Sequence, residues 1–318
     1  MKRQIVLCLT IVLAFSNVGC KKKDTRPLEE ANNAVASYNQ KATEYNASIQ
    51  SFNEIANQIE KVNTDLQSYI DEAQKVINNG EIAFDESTLG ELKNVIVSVS
   101  NSKVSVPERL NQYELLTFDS EADKETLENL ISKANQGSQE IASKRIPEMP
   151  SVPDYSEEIG ELIEAKDNYE KSIQSLKQIT APSDEFVMQR LQRVDTITVI
   201  DHVTEDNDPN GHLNKQGGYI GTVYFADSQV DWSKLFIKEG KDDVISVGTD
   251  GGGAIEIYSN VEDATKRDEY LAIFDGGILA PGSHYVYGTC IIRTSDELTA
   301  SQQNELTKKI LEALIAID

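Results

Sequence analysis

Between residues 28 and 77, apolar side chains recur alternately every three and every four positions, and neither proline nor glycine interrupts the run. This heptad spacing predicts one long helix whose apolar seam supercoils left-handedly against a partner. The seam consists of two series: Leu28, Val35, Ala42, Ile49, Ala56, Asn63, Ile70 and Ile77, and Ala31, Tyr38, Tyr45, Phe52, Ile59, Leu66 and Ala73. Asn63 is the one amide among them, and we expect it to fix the register by meeting a polar partner. The other faces, rich in Asn and Gln, are interpreted as solvated surface.

Three later segments also show helical spacing of apolar residues and are candidates to cover this seam. They span residues 85–102, 121–144 and 156–178. An antiparallel bundle formed within one chain would bury the seam, and a homodimer through the long helix is the alternative that the sequence leaves open. Prolines at every third position of 146–153 predict an extended connector. Together these patterns predict a helical coiled-coil stalk over residues 28–181.

After residue 181 the apolar pattern changes to a period of two, which indicates strands and a second domain over 182–318. Strands are predicted at 196–203, 219–225, 244–247, 254–258 and 285–293. Helices are predicted at 183–193, 261–274 and 300–317, the last two opened by capping boxes at Ser259–Glu262 and Thr299–Gln302. This order predicts an α+β head, an antiparallel sheet covered by helices.

The first twenty residues carry the pattern of an export signal. Lys2 and Arg3 precede an apolar run over 5–15, which is too short to span a bilayer, and Gly19 and Cys20 follow where cleavage is expected. This end resembles the lipobox of bacterial lipoproteins. An ordinary secretory signal or an uncleaved anchor helix is the alternative.

The lipobox resemblance implies that residues 1–19 form a lipoprotein signal peptide and that acyl chains on Cys20 hold the mature chain to a membrane. The next residues, Lys21, Lys22 and Lys23, form a basic triplet suited to anionic headgroups, so 20–27 is predicted to be an acylated basic tether. The predicted location is the outer side of the cell membrane.

Net charge limits the classes of partner. Removal of the signal leaves 28 of the 30 basic residues against 53 acidic residues, a formal charge of −25. A surface of this sign repels nucleic acid, so no nucleic-acid partner is expected. Cys290 is the one cysteine outside the signal and the lipidation position, and its apolar surroundings predict a small core residue rather than a nucleophile.

One loop of the head has the oxygen-donor spacing of a calcium site. The candidate ligands are Asp206, Asp208, Asn210, the backbone carbonyl of His212, and Asn214. The twelfth position holds glycine where an EF-hand has its bidentate glutamate, so another acid would have to complete the site. The alternative is a plain type I turn that needs no ion. The sequence establishes no cofactor, and calcium is the leading candidate.

Other chemistry is weakly represented in the sequence. A zinc site formed by His202, His212 and Glu205 is an open alternative, although the spacing is not that of a zinc motif. The glycine run 249–253 precedes a strand, whereas phosphate loops follow one. No nucleophile elbow and no paired-carboxylate motif is recognised, so the sequence predicts no enzyme.

Several stretches of the head are distinctive, above all Thr204-Glu-Asp-Asn-Asp-Pro-Asn-Gly211 and Gly217-Gly-Tyr219. Further matches lie at 181–191, 248–252, 255–258, 261–264, 288–289 and 293–295. With them, nearly the whole head resembles a domain that recurs in surface lipoproteins of Gram-positive bacteria. That family joins a helical stalk to this domain and has no assigned activity, so the resemblance implies architecture and carries over no catalytic residue.

The sequence therefore predicts a lipid-anchored surface protein whose stalk presents a binding head to an unknown extracellular ligand or protein. An extracellular enzyme that acts through the head on a wall or host polymer is the alternative. Two close acids in a cleft, or an acid beside His202, would favour the enzyme. A structural role for the stalk is the third hypothesis.

Overall fold

The computed structural model describes residues 25–237, 239–277 and 282–318. Cys20 and the lysine triplet Lys21, Lys22 and Lys23 lie outside these residues. Within them the chain is an α plus β protein with eight helices and one five-stranded antiparallel sheet. No helix in this part of the chain is both long and apolar enough to cross a membrane.

The helices and strands agree with most of the predicted segments. The helices are α1 (Arg26–Asn78), α2 (Ser87–Ser102), α3 (Lys124–Ser143), α4 (Ser156–Gln178), α5 (Asp184–Leu191), α6 (Val244–Val247), α7 (Val261–Ala272) and α8 (Ala300–Ile315). The strands are β1 (Ile197–His202), β2 (Gly221–Asp227), β3 (Gly252–Ile257), β4 (Ser283–Tyr287) and β5 (Cys290–Thr294). Chain contacts divide the structure into two compact units, one formed by residues up to Val62 with Val104–Pro153, the other by Asn63–Lys103 with Asp154–Asp318.

Most of the predicted seam of α1 is buried by the chain itself. Its buried members are Ala31, Val35, Tyr38, Ala42, Ile49, Phe52, Ala56, Ile59, Leu66, Ile70 and Ala73. In the first unit, Val35, Tyr38 and Ala42 pack against Ala134 and Ile141 of α3. In the second unit, the Tyr155 hydroxyl donates a hydrogen bond to Asn63 Oδ1 at 2.7 Å. Asn63 therefore meets a polar partner, and its role in fixing register stays a prediction.

Three asparagines of α1 hold the extended segment 104–118, here named the strap. Asn39, Asn46 and Asn53 each donate from Nδ2 to one strap carbonyl and accept, at Oδ1, the N–H of the same residue. Their partners are Leu116, Tyr113 and Leu110, and all six donor–acceptor distances are 2.8–2.9 Å. Seven residues of a helix rise about 10 Å, which is close to the span of three extended residues. Asparagines seven positions apart on α1 can therefore reach strap residues that are three positions apart. Interpreting this face of α1 as solvated surface is wrong for these three asparagines.

The sheet has the strand order β1-β2-β3-β5-β4, and its main core lies on one face. There Val223, Phe225, Ile255 and Ile292 pack against residues of α5 and α8, including Leu191 and Ile310. Cys290 belongs to this core and is fully buried, as predicted. The opposite face carries two smaller apolar clusters. One, near α6, contains Tyr224, Val244 and Ala254, and the other, near α7, contains Tyr219, Tyr258 and Ala264.

The structure corrects three local predictions. Residues 244–247 form helix α6 rather than a strand, because Asp243 caps the turn by accepting the Ser246 N–H at 2.9 Å. The predicted strand 285–293 is the hairpin β4–β5, which turns at Gly288 with φ of 59°. The N-cap of α7 is Asn260, one residue later than predicted. The capping box of Thr299 and Gln302 is confirmed.

Candidate functional site

A buried carboxylate lies on the second face of the sheet, the face that carries the two small clusters. Glu256 is on the central strand β3 and is fully buried. A charged side chain at such a position is costly unless partners compensate its charge and hydrogen-bonding capacity. The partners of Glu256 come from β5, from α7 and from the residue after β3, so the tertiary fold assembles them.

Two arginines and one tyrosine donate hydrogen bonds to Glu256. Arg293 donates from Nη1 to Oε1 at 2.8 Å, and Arg267 donates from Nε to Oε2 at 3.0 Å and from Nη2 to Oε1 at 3.1 Å. The Tyr258 hydroxyl donates to Oε2 at 2.9 Å. Burial alone would raise the pKa of Glu256, but the attraction and hydrogen bonds of Arg293 and Arg267 hold this pKa below its usual range.

This cluster carries excess positive charge. Arg267 and Arg293 contribute two guanidinium groups, while Glu256 contributes one carboxylate. Burial raises the pKa of Tyr258, and so does the neighbouring Glu256 charge, so this phenol is neutral. Arg293 Nε is buried without a hydrogen-bond partner in the described structure. These side chains therefore carry one more positive than negative charge, and one buried donor among them is unsatisfied, in a strongly acidic protein.

A cleft of about 540 Å³ opens beside the cluster. Its described lining residues are Asn210, His212, Gln216, Gly217, Gly218, Tyr219, Tyr258, Lys266, Arg267 and Tyr270, none of which has a carboxylate. The guanidinium of Arg267 lies 5.5 Å from the centroid of the Tyr270 ring. Arg267 donates to Glu256 from Nε and Nη2, so Nη1 is the guanidinium nitrogen that makes no hydrogen bond to Glu256. The cleft is thus lined by two basic side chains, Lys266 and Arg267, and by the exposed ring of Tyr270.

The residues of the predicted calcium loop have separate environments. Asp208 points into the loop, where it accepts hydrogen bonds from the Tyr219 hydroxyl and from the backbone N–H groups of Asn210 and Leu213. Burial would raise the pKa of Asp208, but these hydrogen bonds lower it below its usual range. Asp206 is exposed.

The remaining candidate ligands of the loop are spread over different surroundings. Asn210 and His212 line the cleft, and Asn214 adopts a left-handed conformation with φ of 58°. Across the described ranges, no group of three or more His, Cys, Asp or Glu side chains is placed to hold a metal ion. Calcium at this loop stays a prediction.

The acid near His202 is Asp184. The described residues contain no cluster of three His, Cys, Asp or Glu side chains that could hold zinc there. Burial raises the pKa of Asp184, the first residue of α5, to about 6, and the neighbouring His202 opposes this rise. Asp184 Oδ1 and His202 Nδ1 are both buried and have no hydrogen-bond partner in the described structure. A Cβ at Gly221 would collide with Asp184 Oδ1, so the glycine makes room for this carboxyl. Neither Asp184 nor His202 lines the cleft beside Glu256.

Sequence reasoning missed Glu256, Arg267 and Arg293. The available signal was a charged residue inside each of two otherwise apolar strands, Glu256 in β3 and Arg293 in β5. Such residues of opposite sign indicate a buried ion pair when their strands are neighbours. Comparisons with known proteins add no name to this site, because no family model, no curated protein and no solved structure matches the chain.

Proposed function

We propose that the protein is a membrane-anchored bacterial surface lipoprotein whose C-terminal head binds an extracellular ligand in the cleft beside Glu256. Acyl chains on Cys20 hold it to the outer side of the membrane, and the helical region acts as a coiled-coil stalk. The export pattern, the basic triplet after Cys20 and the resemblance to Gram-positive surface lipoproteins support the anchoring.

The cleft is the observation that carries the binding function. It combines a rigidly held guanidinium, an aromatic ring that is 51% exposed at Tyr270, and amide groups from Asn210 and Gln216. Pockets that bind ligands commonly join apolar surface to a few fixed polar groups. Maintaining a buried charge cluster beside the cleft costs desolvation free energy, and a functional role explains why that cost is tolerated.

The binding function is tested by filling the cleft. Gln216 is exposed on the cleft loop, so Gln216→Trp should block the cleft while the fold is kept. We expect the wild-type mature chain without its lipid to co-sediment with purified Gram-positive cell walls, and Gln216→Trp to lose most of this binding. Gln189→Trp, on the exposed side of α5, is the control and should bind like wild type. Equal sedimentation of all three proteins would exclude the cleft as the wall-binding site.

The anchor is tested separately in living cells. Cys20→Ser removes the sulfur that would receive the lipid, so we expect it to abolish incorporation of labelled palmitate and to release the protein from the membrane fraction. Unchanged labelling of Cys20→Ser would contradict lipidation at this residue without bearing on the cleft.

An enzyme is the second candidate, favoured by the raised pKa of Asp184 beside His202. A carboxyl whose pKa is about 6 can donate or accept a proton near neutral pH. If this pair is catalytic, the mature chain should release new reducing ends from cell walls, and Asp184→Asn should abolish the release. Absence of any release by the wild-type protein would argue against this candidate and would leave the binding function intact.

A further inference from the structure

We propose that the cleft binds an oxyanion, a carboxylate or a phosphate group of its ligand, between Lys266 and Arg267. The inference deepens the proposed function and rests on it, since it names the chemistry that the binding head recognises. Three features of the structure support the proposal: the charge of the buried cluster, the fixed guanidinium plane of Arg267, and the weak, exposed ion pair of Lys266.

The charge of the cluster favours an anion in the cleft. Glu256 neutralises one of the two guanidinium groups of Arg267 and Arg293, and it is the one residue with which Arg293 forms an ion pair in the described structure. Asp250 interacts electrostatically with Arg293 but forms no ion pair with it among the described residues. A positive charge in a low-dielectric environment interacts more strongly with an approaching anion than one surrounded by water. An oxyanion bound to Arg267, which lines the cleft, would balance the charges of Arg267, Arg293 and Glu256.

Arg267 is prepared to make that contact. Two hydrogen bonds to Glu256 and the ring of Tyr270 fix the plane of its guanidinium. Carboxylates and phosphates match the planar donors of arginine, and a guanidinium that is already ordered loses little entropy on binding. Nη1 makes no hydrogen bond to Glu256, so its two N–H groups are the donors that the proposal assigns to the oxyanion.

Lys266 supplies a second, mobile charge. Its ion pair is with Glu262 one turn earlier on α7, and both side chains are mostly exposed, at 63% and 77%. Such a pair contributes little to stability, so Lys266 can leave Glu262 for a ligand at small cost. Lys308 and Glu312 on α8 form a pair of similar exposure, 69% and 62%, outside the cleft. Lys308 is therefore a matched control for Lys266.

The test uses the mature chain without its lipid and two small probes. Glycerol 1-phosphate represents a phosphate source and glucuronate a carboxylate source, with glycerol and glucose as neutral controls at the same ionic strength. We expect saturable backbone amide shifts in NMR spectra at Gly217, Gly218 and Tyr270 with at least one anion and none with the neutral controls. The anion that gives the lower Kd identifies the source.

Variants then assign the contact. Lys266→Gln should raise the Kd about tenfold, the effect of losing one charge-assisted hydrogen bond of about 1.4 kcal/mol, while Lys308→Gln should leave it unchanged. Arg267→Lys keeps one charge but loses the planar fork, and it should abolish saturation. If Arg267→Lys fails to fold, the comparison of Lys266→Gln with Lys308→Gln still decides.

The inference is overturned if neither anion gives saturable shifts, or if Lys266→Gln binds like Lys308→Gln. These outcomes are separate from the proposed function. Loss of wall binding by Gln216→Trp together with no response to either anion would keep the cleft as the binding site and reject only its oxyanion chemistry. Wall binding that is unaffected by Gln216→Trp, with saturable anion shifts, would show an anion site that the wall ligand does not use.

Discussion

Asn39, Asn46 and Asn53 illustrate how single side chains replace regular secondary structure in this protein. The strap has no strand partner in the described structure, yet its backbone groups at three positions are paired by amide side chains of α1. A carboxamide offers one donor and one acceptor in the same plane, so it can satisfy both backbone groups of one residue. Asparagine at heptad spacing therefore orders an extended segment without a sheet.

This pairing predicts the effect of Asn46→Ala. The change leaves the N–H and carbonyl of Tyr113 without their partner, so we expect a loss of about 1–3 kcal/mol in free energy of unfolding and faster amide exchange at Tyr113. Asn32 occupies the same heptad position one repeat before Asn39, and its side chain is exposed. Asn32→Ala is thus the control, and an equal effect of both changes would contradict the structural role of Asn46.

The calcium loop allows a structural and an ionic role of Asp208 to be separated. In excess EDTA, Asp208→Ala should lower the Tm, because Tyr219 and two backbone N–H groups lose their acceptor, whereas Asp206→Ala should not. Millimolar calcium then tests the predicted metal site. A rise in the wild-type Tm that Asp206→Ala removes would confirm the site, and identical curves would leave the loop as a turn.

Asp184 predicts a pH-dependent stability. Its pKa is about 6 in the folded protein against 3.8 ordinarily, so the folded state favours the protonated form. The resulting stabilisation is complete below pH 3.8 and is lost as the pH rises through about 6. Asp184→Asn stays neutral and should therefore match wild type near pH 4 and exceed it at pH 8. The gain should be about 1 kcal/mol, since Asp184 is half-buried and solvent screens its charge.

The neighbouring Glu185 is the control for this pH effect. Its carboxylate is exposed, and hydrogen bonds from the backbone and from Ser183 lower its pKa. Glu185→Gln should therefore gain no stability at high pH, and denaturation curves at both pH values compare the two variants. A gain in Glu185→Gln equal to that in Asp184→Asn would assign the effect to the α5 terminus in general and contradict the assignment to Asp184.

At the scale of elements, the contact between α1 and α3 depends on the absence of a side chain at Gly137. A Cβ there would lie 2.6 Å from the ring of Tyr38, whose hydroxyl is held by a 2.8 Å hydrogen bond to the Glu114 carbonyl. Gly137→Ala should therefore lower the free energy of unfolding by about 1–3 kcal/mol despite the better helix propensity of alanine.

Two other helical glycines provide the matched comparison. At Gly90 in α2 and at Gly160 in α4, the position that an alanine methyl group would occupy has no neighbouring atom within 4 Å. Alanine at either should therefore stabilise the protein by about 0.5–1 kcal/mol. Urea denaturation of the three variants measures these differences. Stabilisation by Gly137→Ala would contradict close packing of Tyr38 against α3.

The errors at α6 and at the β4–β5 hairpin have separate local causes. Val244–Val247 is a run of apolar and small residues, which is compatible with a strand or with a helical turn when periodicity alone is considered. The Asp243 cap and the tertiary cluster of Val244 and Ile245 with Tyr224 decide for the helix. In the hairpin, the apolar pattern predicts a single strand because Gly288 is the one residue that signals the turn.

At the scale of the whole molecule, burial of the seam predicts a monomer. Eleven of the fifteen seam residues are buried within one chain, which leaves little apolar surface on α1 for a second copy. Light scattering of the mature chain without its lipid should therefore give the mass of one chain across a wide range of concentrations. A stable mass of two chains would restore the homodimer alternative.

Most local elements of this protein follow from patterns in its sequence. The heptad spacing predicted α1, period-two alternation predicted most strands, and Ser183, Thr299 and Gln302 marked helix starts that the structure contains. These features depend on residues within one or two turns, and such short-range patterns record which side of an element is buried. The α plus β composition and much of the core follow from them.

Which polar groups meet depends on the tertiary fold. Glu256 and Arg293 are 37 residues apart, and Asn39 lies 77 residues from its strap partner Leu116. The register of β3 against β5, and the path of the strap along α1, bring these groups together. The ion pair leaves no periodic trace in the sequence, because it needs only one residue on each strand. The heptad spacing of Asn39, Asn46 and Asn53 is visible in the sequence, but it does not by itself identify the strap as their partner. The charge and lining of the candidate cleft are therefore properties of the fold.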